Sequence, residues 1–288
     1  MLLERQLNVE PAFSGLTVRQ LLNTWCIPRK WQHELRIQHG ILVNGQYRYF
    51  NQTILAGDQI QLHLQTNIKP QVYLANPKHD FKVVYEDADL LIVNKPAGLK
   101  THPNSPKEKN TLFNQLTSYL PTSPLMLHRL DMLTSGLIMI GKNPLIVPII
   151  ERQLAKKQLQ RTYVAITPYK PDLPTTGHIN AKIGADLTDP RKRRVDPKGQ
   201  TALTDYRILQ HNQNLALLQL QLQTGRTHQI RVHLQAIQAP IIGDPLYNNQ
   251  TASRLYLHAY KLRYQIPFSS SYRQINLSIP SDFLQLVK

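Results

Sequence analysis

One segment of this chain alternates apolar and polar residues so regularly that it strongly constrains the fold. In "NLALLQLQLQT", Leu218, Leu220 and Leu222 alternate with glutamines. Successive side chains of a β-strand point to opposite faces, so the pattern predicts a strand with one buried and one solvated face. The second half of the chain must therefore contain a sheet that covers a core.

Further strands and helices surround this one. Strands are predicted in "FKVVYEDADLLIVNKPAG", which holds two of them joined at Asp87-Ala88-Asp89, and in "RTYVAITP". Helices are predicted in "PLIVPIIERQLAKKQLQ" and in "THQIRVHLQAIQ", where Ile230, Leu234 and Ile237 recur at helical spacing. Strands outnumber helices and often follow one another directly. This favours an α+β fold with a mixed, largely antiparallel β-sheet flanked by helices and loops.

A smaller unit precedes this region. Its first helix, in "SGLTVRQLLNTW", has Ser14 or Thr17 as a possible cap. Pro28 suits the first turn of a second helix, which Gly40 would end. Asn44-Gly45 then predicts a tight hairpin, and a strand follows. We expect a small domain over residues 1–66, a linker over 67–80, where prolines break the periodicity, and a larger domain over 81–288.

The charge of the chain points to a polyanionic partner. There are 34 Lys and Arg residues against 18 Asp and Glu residues, a net charge of +16. Such an excess favours nucleic acid as the partner. No apolar run approaches the length of a membrane span, and the N-terminus does not read as a secretory signal, so we expect a cytoplasmic protein. The single cysteine, Cys26, excludes an internal disulfide and a Cys-rich metal site.

Common catalytic motifs are missing from the sequence. It contains no G-x-G-x-x-G after a strand, no P-loop, no H-E-x-x-H and no G-x-S-x-G. Three segments with chemistry remain: "HRLDMLTSG" with Asp131, "RTYVAI" with Arg161 and Tyr163 on one strand face, and "QTGRTHQIRVH" with Arg226. Taken singly, each has an ordinary structural explanation as a turn, core or surface residue.

Together, these segments resemble the RluA family of pseudouridine synthases. The matching residues, in one order over nearly all of 81–265, are "NKPAGLKTHP", "LHRLDMLTSGLIMI", "RTYVAI", "GQTALTDYRIL", "LQLQTGRTHQIRVHL" and "IIGDPLY". The small N-terminal unit, with its "RIQHGILVNGQ" and "LAGDQI", resembles the S4 RNA-binding domain. Two departures are visible: Arg161 stands where the family usually has Lys, and Asn248 stands where Gly often follows the Tyr.

The resemblance implies a reaction and a set of roles. Such an enzyme breaks the C1′–N1 bond of a uridine in RNA, turns the uracil and rejoins it through C5, without cofactor or metal. Asp131 would be the catalytic carboxylate, as a nucleophile or as a base that removes a sugar proton. Arg226 would keep Asp131 ionised despite its apolar surroundings, so Arg226→Ala should lose much activity. Tyr163 would stack on the uracil and assist proton removal at C5.

A target uridine must leave its stack, and Arg129 would either fill the gap or form a structural salt bridge. We expect RNA contacts from nine residues: Arg29, Lys30, Arg36, His128, Arg129, Arg161, Arg191, Arg193 and Arg194. The last three lie in "DPRKRRVDPKGQ", a predicted basic loop over residues 189–200. The expected substrate is large-subunit ribosomal RNA, with transfer RNA as the alternative, and we expect a monomer.

Two other classes of function compete with this one. The chain would be a non-catalytic RNA- or ribosome-binding protein if its larger domain were degenerate, but the set of Asp131, Tyr163 and Arg226 is intact. It would be a glycosidic-bond hydrolase if Asp131 activated water. Such hydrolases generally use two carboxylates, whereas the three segments offer one.

Overall fold

The computed structural model describes residues 1–66 and 71–288. The N-terminal part is a four-stranded antiparallel sheet of order β1-β4-β2-β3, with two helices packed on it. Its elements, in chain order, are β1 (Leu2–Asn8), a 3-10 turn (Pro11–Phe13), α1 (Val18–Thr24), α2 (Arg29–Ile37), β2 (Ile41–Val43), β3 (Gln46–Tyr47) and β4 (Gln59–Gln65).

Local chemistry explains these boundaries. Thr17 caps α1, and its side chain and that of Gln20 each accept a hydrogen bond from the other residue's backbone N–H, as in a capping box. Asn44 and Gly45 both have positive φ, 52° and 81°, as the two-residue turn between β2 and β3 requires. The predicted helices, hairpin and strand of this unit are therefore confirmed.

The role predicted for Gly40 was wrong in one respect. The helix ends at Ile37, and the left-handed residue that follows it is His39, with φ 51°. A Cβ on Gly40 would lie 2.0 Å from the carbonyl oxygen of His63. Glycine is needed there because two backbones approach closely, not because the helix must stop.

The rest of the chain forms one large mixed sheet with helices and a small separate hairpin. Its helices are α3 (Leu112–Tyr119), α4 (Ile146–Ala155), α5 (Gln229–Ala236) and α6 (Ser281–Leu286). Its strands are β5 (Lys82–Glu86), β6 (Leu90–Lys95), β7 (Leu125–Met126), β8 (Ser135–Gly141), β9 (Gln160–Pro168), β10 (Thr176–Asn180), β11 (Ile183–Ala185), β12 (Arg193–Val195), β13 (Leu203–His211), β14 (Leu215–Leu222), β15 (Leu257–Gln265) and β16 (Tyr272–Asn276).

The large sheet has ten strands in the order β10-β13-β14-β9-β15-β8-β6-β5, with β16 added on β15 and β7 on β8. Among the described strands, β8 and β15 make the one parallel pair, and the other pairs are antiparallel. The segment in which leucines alternate with glutamines is β14, which lies between β13 and β9 in the sheet. The predicted α+β class with a mixed, largely antiparallel sheet is confirmed.

Two segments differ from the sequence-based expectation. The basic stretch 189–200 is not all loop, because Arg193 and Arg194 lie on β12, which pairs with β11. Part of the predicted linker, residues 67–70, lies outside the described residues. The part that follows packs on α3: the side chain of Asn114 donates to the Leu74 carbonyl at 2.6 Å, and that of Gln115 to Asp80 at 2.7 Å.

The N-terminal unit is joined to the large sheet by a shared hydrophobic core. Trp25 meets the ring of Phe268 edge to face, with ring centroids 5.5 Å apart. Arg5 forms two hydrogen bonds to Asp89, at 3.0 and 2.6 Å. One buried cluster includes residues of both parts. Burial of this apolar surface fixes the two parts against each other. In the part of the chain that the structure describes, no helix has the length and apolarity needed to cross a bilayer.

Candidate active site

Three loops and strand ends meet at one small cavity. Residues 127–134 lead into β8, β9 begins at Gln160, and residues 223–228 connect β14 to α5. The cavity has a volume of about 70 Å³, and its lining includes Asp131, Tyr163 and Arg226. The structure therefore brings together the three segments that carry the predicted chemistry.

The loop that carries Asp131 is held in place by buried hydrogen bonds. The ammonium group of Lys95, fully buried, donates to the carbonyls of Pro96, Leu99 and Met132 at 2.9, 2.7 and 3.1 Å. Thr101 donates to the Leu130 carbonyl at 2.7 Å. The bonds to Leu130 and Met132 fix the backbone on both sides of the carboxylate.

Burial also changes the pKa of Lys95. It lowers the pKa of this lysine to about 7, against the opposing attraction of Asp131. The loop of the "NKPAG" segment therefore supports the Asp131 loop through Lys95, whose pKa lies near neutral pH.

The guanidinium beside Asp131 belongs to Arg231, which corrects the predicted pairing with Arg226. Arg231 Nη1 lies 3.5 Å from Asp131 Oδ2. The same guanidinium holds Asp244 with two bonds of 2.7 Å, from Nε and Nη2, and lies over the ring of Tyr247, 5.0 Å from its centroid. Burial alone lowers the pKa of Arg231, but Asp244 and Asp131 together raise it. A buried, permanently charged guanidinium therefore lies beside the Asp131 carboxylate.

Arg226 lines the cavity from a different position. Its side chain is exposed, and Nε donates to the Thr201 carbonyl at 3.0 Å. Among the described residues it forms no ion pair with Asp131. Arg226 lies in the loop before α5, whereas Arg231 lies in the first turn of that helix and is buried. The expected and the observed partner are therefore five positions apart in the sequence.

His228 is a second neighbour of the carboxylate that sequence reasoning missed. It adopts a left-handed conformation, φ 58°, at the start of α5. Its Nε2 lies 3.9 Å from Asp131 Oδ2, and its Nδ1 lies 2.9 Å from the Tyr247 hydroxyl. Burial lowers the pKa of His228, although Asp131 opposes that shift. A largely neutral imidazole therefore lies beside the carboxylate at neutral pH.

Tyr163 is a buried member of the cavity lining. It lies on β9, is 4% exposed, and shares the cavity lining with Asp131. Burial raises the pKa of its hydroxyl, Arg161 opposes this and Asp131 adds to it. The hydroxyl stays protonated at neutral pH, so it presents a phenol rather than a phenolate to whatever enters the cavity.

Arg129 and Arg161 both line the cavity. Arg129 is exposed and donates to the Thr227 hydroxyl at 2.8 Å. The salt bridge considered for it from the sequence is absent among the described residues. Arg161 is half-buried, and its guanidinium packs against Gly225, where a Cβ would lie 3.0 Å from Nη2. Both arginines present charge to the cavity without a carboxylate partner in the described chain.

His128 has a position typical of a structural residue. It is 8% exposed, and its Nε2 accepts the backbone N–H of Met139 at 3.0 Å. Burial lowers its pKa to about 3, and Arg161 adds to this effect. A neutral, buried imidazole that accepts a strand N–H braces the loop, so the geometry gives the predicted RNA contact no support.

The other predicted RNA contacts divide into two groups. Arg29 and Arg36 line a basic cleft on the N-terminal unit, and Lys30 is exposed beside it. In the second group, Arg191 pairs with Asp189 at 2.7 Å and Arg194 lies 3.8 Å from Asp196. Arg193 donates to two backbone carbonyls. The cations of the second group are thus partly neutralised or bonded within the protein.

The missed residues had weak signals in the sequence. Arg231 and His228 lie inside the quoted segment "QTGRTHQIRVH", and Asp244 lies in "IIGDPLY". The apolar period of α5 runs through Ile230 and Leu234, which gives no reason to expect a buried arginine between them. The fact that Gln229 to Leu234 are all buried shows that this short helix is surrounded on every side.

Comparisons with known proteins agree with this geometry. A family profile described as RNA pseudouridylate synthase matches residues 89–236, and one described as the RluD ribosomal pseudouridine synthase N-terminal domain matches residues 5–60. The chain is 36% identical over 266 residues to the uncharacterized RNA pseudouridine synthase YhcT of Bacillus subtilis, covering 88% of this chain and 84% of the relative.

Two further similarities extend the comparison. The chain is 30% identical over 280 residues to ribosomal large subunit pseudouridine synthase D of Escherichia coli, covering 86% of this chain and 82% of that protein. The solved structure of human RNA pseudouridylate synthase domain containing 1 is 26% identical, with a TM-score of 0.60 over 72% of this chain and 86% of that one. The chain belongs to the RluA family of RNA pseudouridine synthases and is an isomerase that acts on RNA.

Proposed function

We propose that this protein converts specific uridines of large-subunit ribosomal RNA to pseudouridine. The observation that carries the proposal is the single carboxylate of Asp131 beside the buried guanidinium of Arg231, in a cavity edged by unpaired arginines. The N-terminal match to a ribosomal pseudouridine synthase domain supports the choice of ribosomal RNA over transfer RNA. A substrate of this kind would place the protein in the cytoplasm, where ribosomes are assembled.

Asp131 would act on the sugar of the target nucleotide. In one route its carboxylate attacks C1′ as the C1′–N1 bond breaks. In the other it removes a sugar proton and a glycal-type intermediate forms. Both routes use the carboxylate of Asp131, which lies 3.5 Å from the guanidinium of Arg231. The uracil then turns, C5 bonds to C1′, the C5 proton leaves and N1 gains a proton, so no atom is added overall.

Tyr163 would serve the base rather than the sugar. Its ring lines the cavity and suits stacking on uracil, and its hydroxyl would give its proton to N1 of the uracil and then accept the proton that leaves C5. A uridine reaches such a site only when it leaves its stack, at a cost of about a few kcal/mol. Arg129 would release Thr227 and fill the gap.

An extruded nucleotide would have to pass the lining residues at the entrance of the cavity. The hydrogen bond from Arg129 to Thr227 joins two lining residues, and breaking it would widen the entrance. We assign the N-terminal cleft residues Arg29 and Arg36, with the exposed Arg226, to holding the RNA, and residues 1–66 and 81–288 to the two functional domains.

The test compares pseudouridine maps of total RNA from cells with the wild-type protein and cells with Asp131→Asn. We expect one or more sites of the large ribosomal subunit RNA to be lost in the variant, by more than about 10³-fold in rate when assayed in vitro. A lost site in transfer RNA alone would overturn the choice of substrate. If no site were lost, the assignment of Asp131 as the catalytic carboxylate would be overturned.

RNA mass separates isomerisation from hydrolysis. The proposed reaction leaves the mass of a purified transcript unchanged, whereas a hydrolase would release uracil and lower it. Asp131→Asn should still bind the transcript, because it removes one charge from the cavity and leaves the basic surface intact. Loss of binding as well as turnover in this variant would show misfolding, which a circular dichroism spectrum and a melting curve would reveal.

A further inference from the structure

A second cavity lies on the N-terminal unit, between α1 and α2. Its volume is about 420 Å³, and its lining is Arg19, Asn23, Arg29, Gln32, His33, Arg36 and Phe50. The three arginines and the histidine are all exposed. The lining includes no carboxylate among the described residues, so the charge of this cleft faces solvent. Phosphate groups are the anions that such a cleft would take.

A third cavity opens beside the active site. Its volume is about 780 Å³, and it shares Arg129, Arg161 and Arg226 with the lining of the catalytic cavity. Lys157 adds a fourth cation, while Glu151 is the one carboxylate in the described lining. This groove is large enough for a nucleotide chain, and it adjoins the cavity that Asp131 lines.

The end of α4 connects the two cavities. The ammonium group of Lys156 donates to the carbonyl of Asn23, a residue of the N-terminal cleft, at 3.3 Å. The next residue, Lys157, lines the groove beside the active site and has a left-handed backbone, φ 58°. One lysine therefore contacts the edge of the first cavity and its neighbour lines the second. Both lysines are exposed.

The distance between these cavities is fixed by the contacts around α4. Arg152 donates to the Ile27 carbonyl at 2.6 Å, and Cys26 Sγ to the Gln158 side chain at 3.2 Å. On the other side of the interface, Ser270 donates to Glu10 through its N–H and hydroxyl, at 2.9 and 2.6 Å. With the shared core, these bonds hold the N-terminal cleft in one position relative to Asp131.

We propose that one continuous RNA segment, flanking the target uridine, lies across the end of α4 and occupies both cavities at once. Six residues define this α4 track: Arg29, Arg36, Lys156, Lys157, Arg161 and Arg226. The proposal of this track rests on the proposed function, because the ligand of the track is the RNA substrate. In this arrangement the N-terminal unit does not simply tether RNA. The unit binds the same RNA segment that enters the active site, at a fixed distance from the reacting nucleotide.

The first experiment neutralises the junction. Lys156→Gln/Lys157→Gln is compared with Lys170→Gln/Lys288→Gln. Lys170 follows the far end of β9, roughly 25 Å from Arg161 along the strand, and Lys288 follows Val287, whose carbonyl accepts from the side chain of Gln210 on β13. The probe is an unmodified transcript of large-subunit ribosomal RNA. We expect the junction variant to bind roughly tenfold more weakly at 0.1 M salt and to flatten the log–log salt slope by about 1.4–1.8, and the control to match wild type. Equal affinity and slope in the two variants would overturn the track.

The second experiment locates the RNA. A cleavage reagent is attached to His33→Cys or to Lys157→Cys, which is practical because the natural Cys26 is buried. We expect both positions to cut one contiguous stretch of the transcript next to the modified uridine. Cuts in two separate regions of the RNA would overturn the proposal. If the wild-type protein formed no pseudouridine in any RNA, the proposed function would fail, while binding and cleavage would still decide whether the track exists.

Discussion

The active-site cavity and the N-terminal cleft both hold arginines, but they use them in opposite ways. Around Asp131, the guanidinium of Arg231 is 3% exposed and is fully engaged by Asp244, Asp131 and Tyr247. In the cleft, Arg29 and Arg36 are exposed, and no described carboxylate lines the same space. The first arrangement holds the positive charge of Arg231 at a fixed position beside the carboxylate of Asp131. The second leaves charge available for a flexible polyanion.

Arginines in the two regions should therefore differ in how well they tolerate substitution. A buried, paired guanidinium leaves uncompensated charges behind when it is removed. An exposed guanidinium that binds phosphate contributes to affinity through counterion release, and its loss is graded. The next four predictions test this difference between the two regions, from the largest effect to the smallest.

The largest effect should come from Arg231. Arg231→Met would leave Asp244 and Asp131 without their cation, so we expect the free energy of unfolding to fall by about 3–5 kcal/mol and turnover to be lost. Arg226→Gln, the matched exposed change, should alter stability by less than about 0.5 kcal/mol. Urea unfolding and a single-turnover assay measure both. Greater loss of stability in the Arg226 variant would contradict the observed pairing.

A smaller loss is expected at Tyr163, because Tyr163→Phe keeps the ring and removes the hydroxyl. If the hydroxyl assists proton transfer at C5, the rate should fall by about 10²–10⁴-fold. Affinity for RNA should change little, since the ring and the basic surface remain. Release of tritium from uridine labelled at C5 reports this step. Normal tritium release by the variant would exclude the proton role and leave stacking.

In the cleft, the expected effect is on binding. Arg29→Gln/Arg36→Gln should lower affinity for RNA and reduce the salt slope by about 1.4–1.8, as expected for two lost phosphate contacts. Melting temperature should stay close to that of wild type because both side chains are exposed. Filter binding at several salt concentrations gives the slope. An unchanged slope together with a lower melting temperature would show that these arginines are structural.

At neutral pH the smallest effect is expected at His128, whose contribution to stability changes only as the pH falls. The pKa of His128 falls from 6.5 to about 3 on burial, so below pH 6.5 the unfolded chain binds a proton that the folded imidazole refuses until about pH 3. This contribution to stability is fully present above pH 6.5 and is lost as pH falls. Relative to His128→Gln, wild type should lose about 2 kcal/mol between pH 7 and 4.5. Parallel stability curves for the two proteins would contradict the assignment.

Much of the fold follows from local patterns in the sequence. The alternation in β14, the capping residue Thr17 and the Asn44-Gly45 turn each act within a few residues, so their chemistry can be read directly. The general position of the site was also predictable, because the segments with Asp131, Tyr163 and Arg226 do line one cavity.

The finer geometry was not predictable, since it depends on tertiary packing. Arg226 and Arg231 are both plausible partners in the same segment, and only the inward direction of the first turn of α5 selects Arg231. The buried state of His128 depends on a backbone N–H from Met139, on a neighbouring strand. The union of the two parts through Trp25 and Phe268 joins residues that lie far apart in the chain and carry no shared pattern.

Because the two parts share one hydrophobic core, they should unfold together. A core shared by both parts means that opening the N-terminal unit exposes apolar surface on the catalytic side as well, including Phe268 and Tyr264. Neither part then melts independently, because opening one part exposes apolar surface on both parts to water. Denaturation should be one cooperative event for the whole protein, and a protease should find no long-lived state in which the RNA-gripping unit alone has come apart.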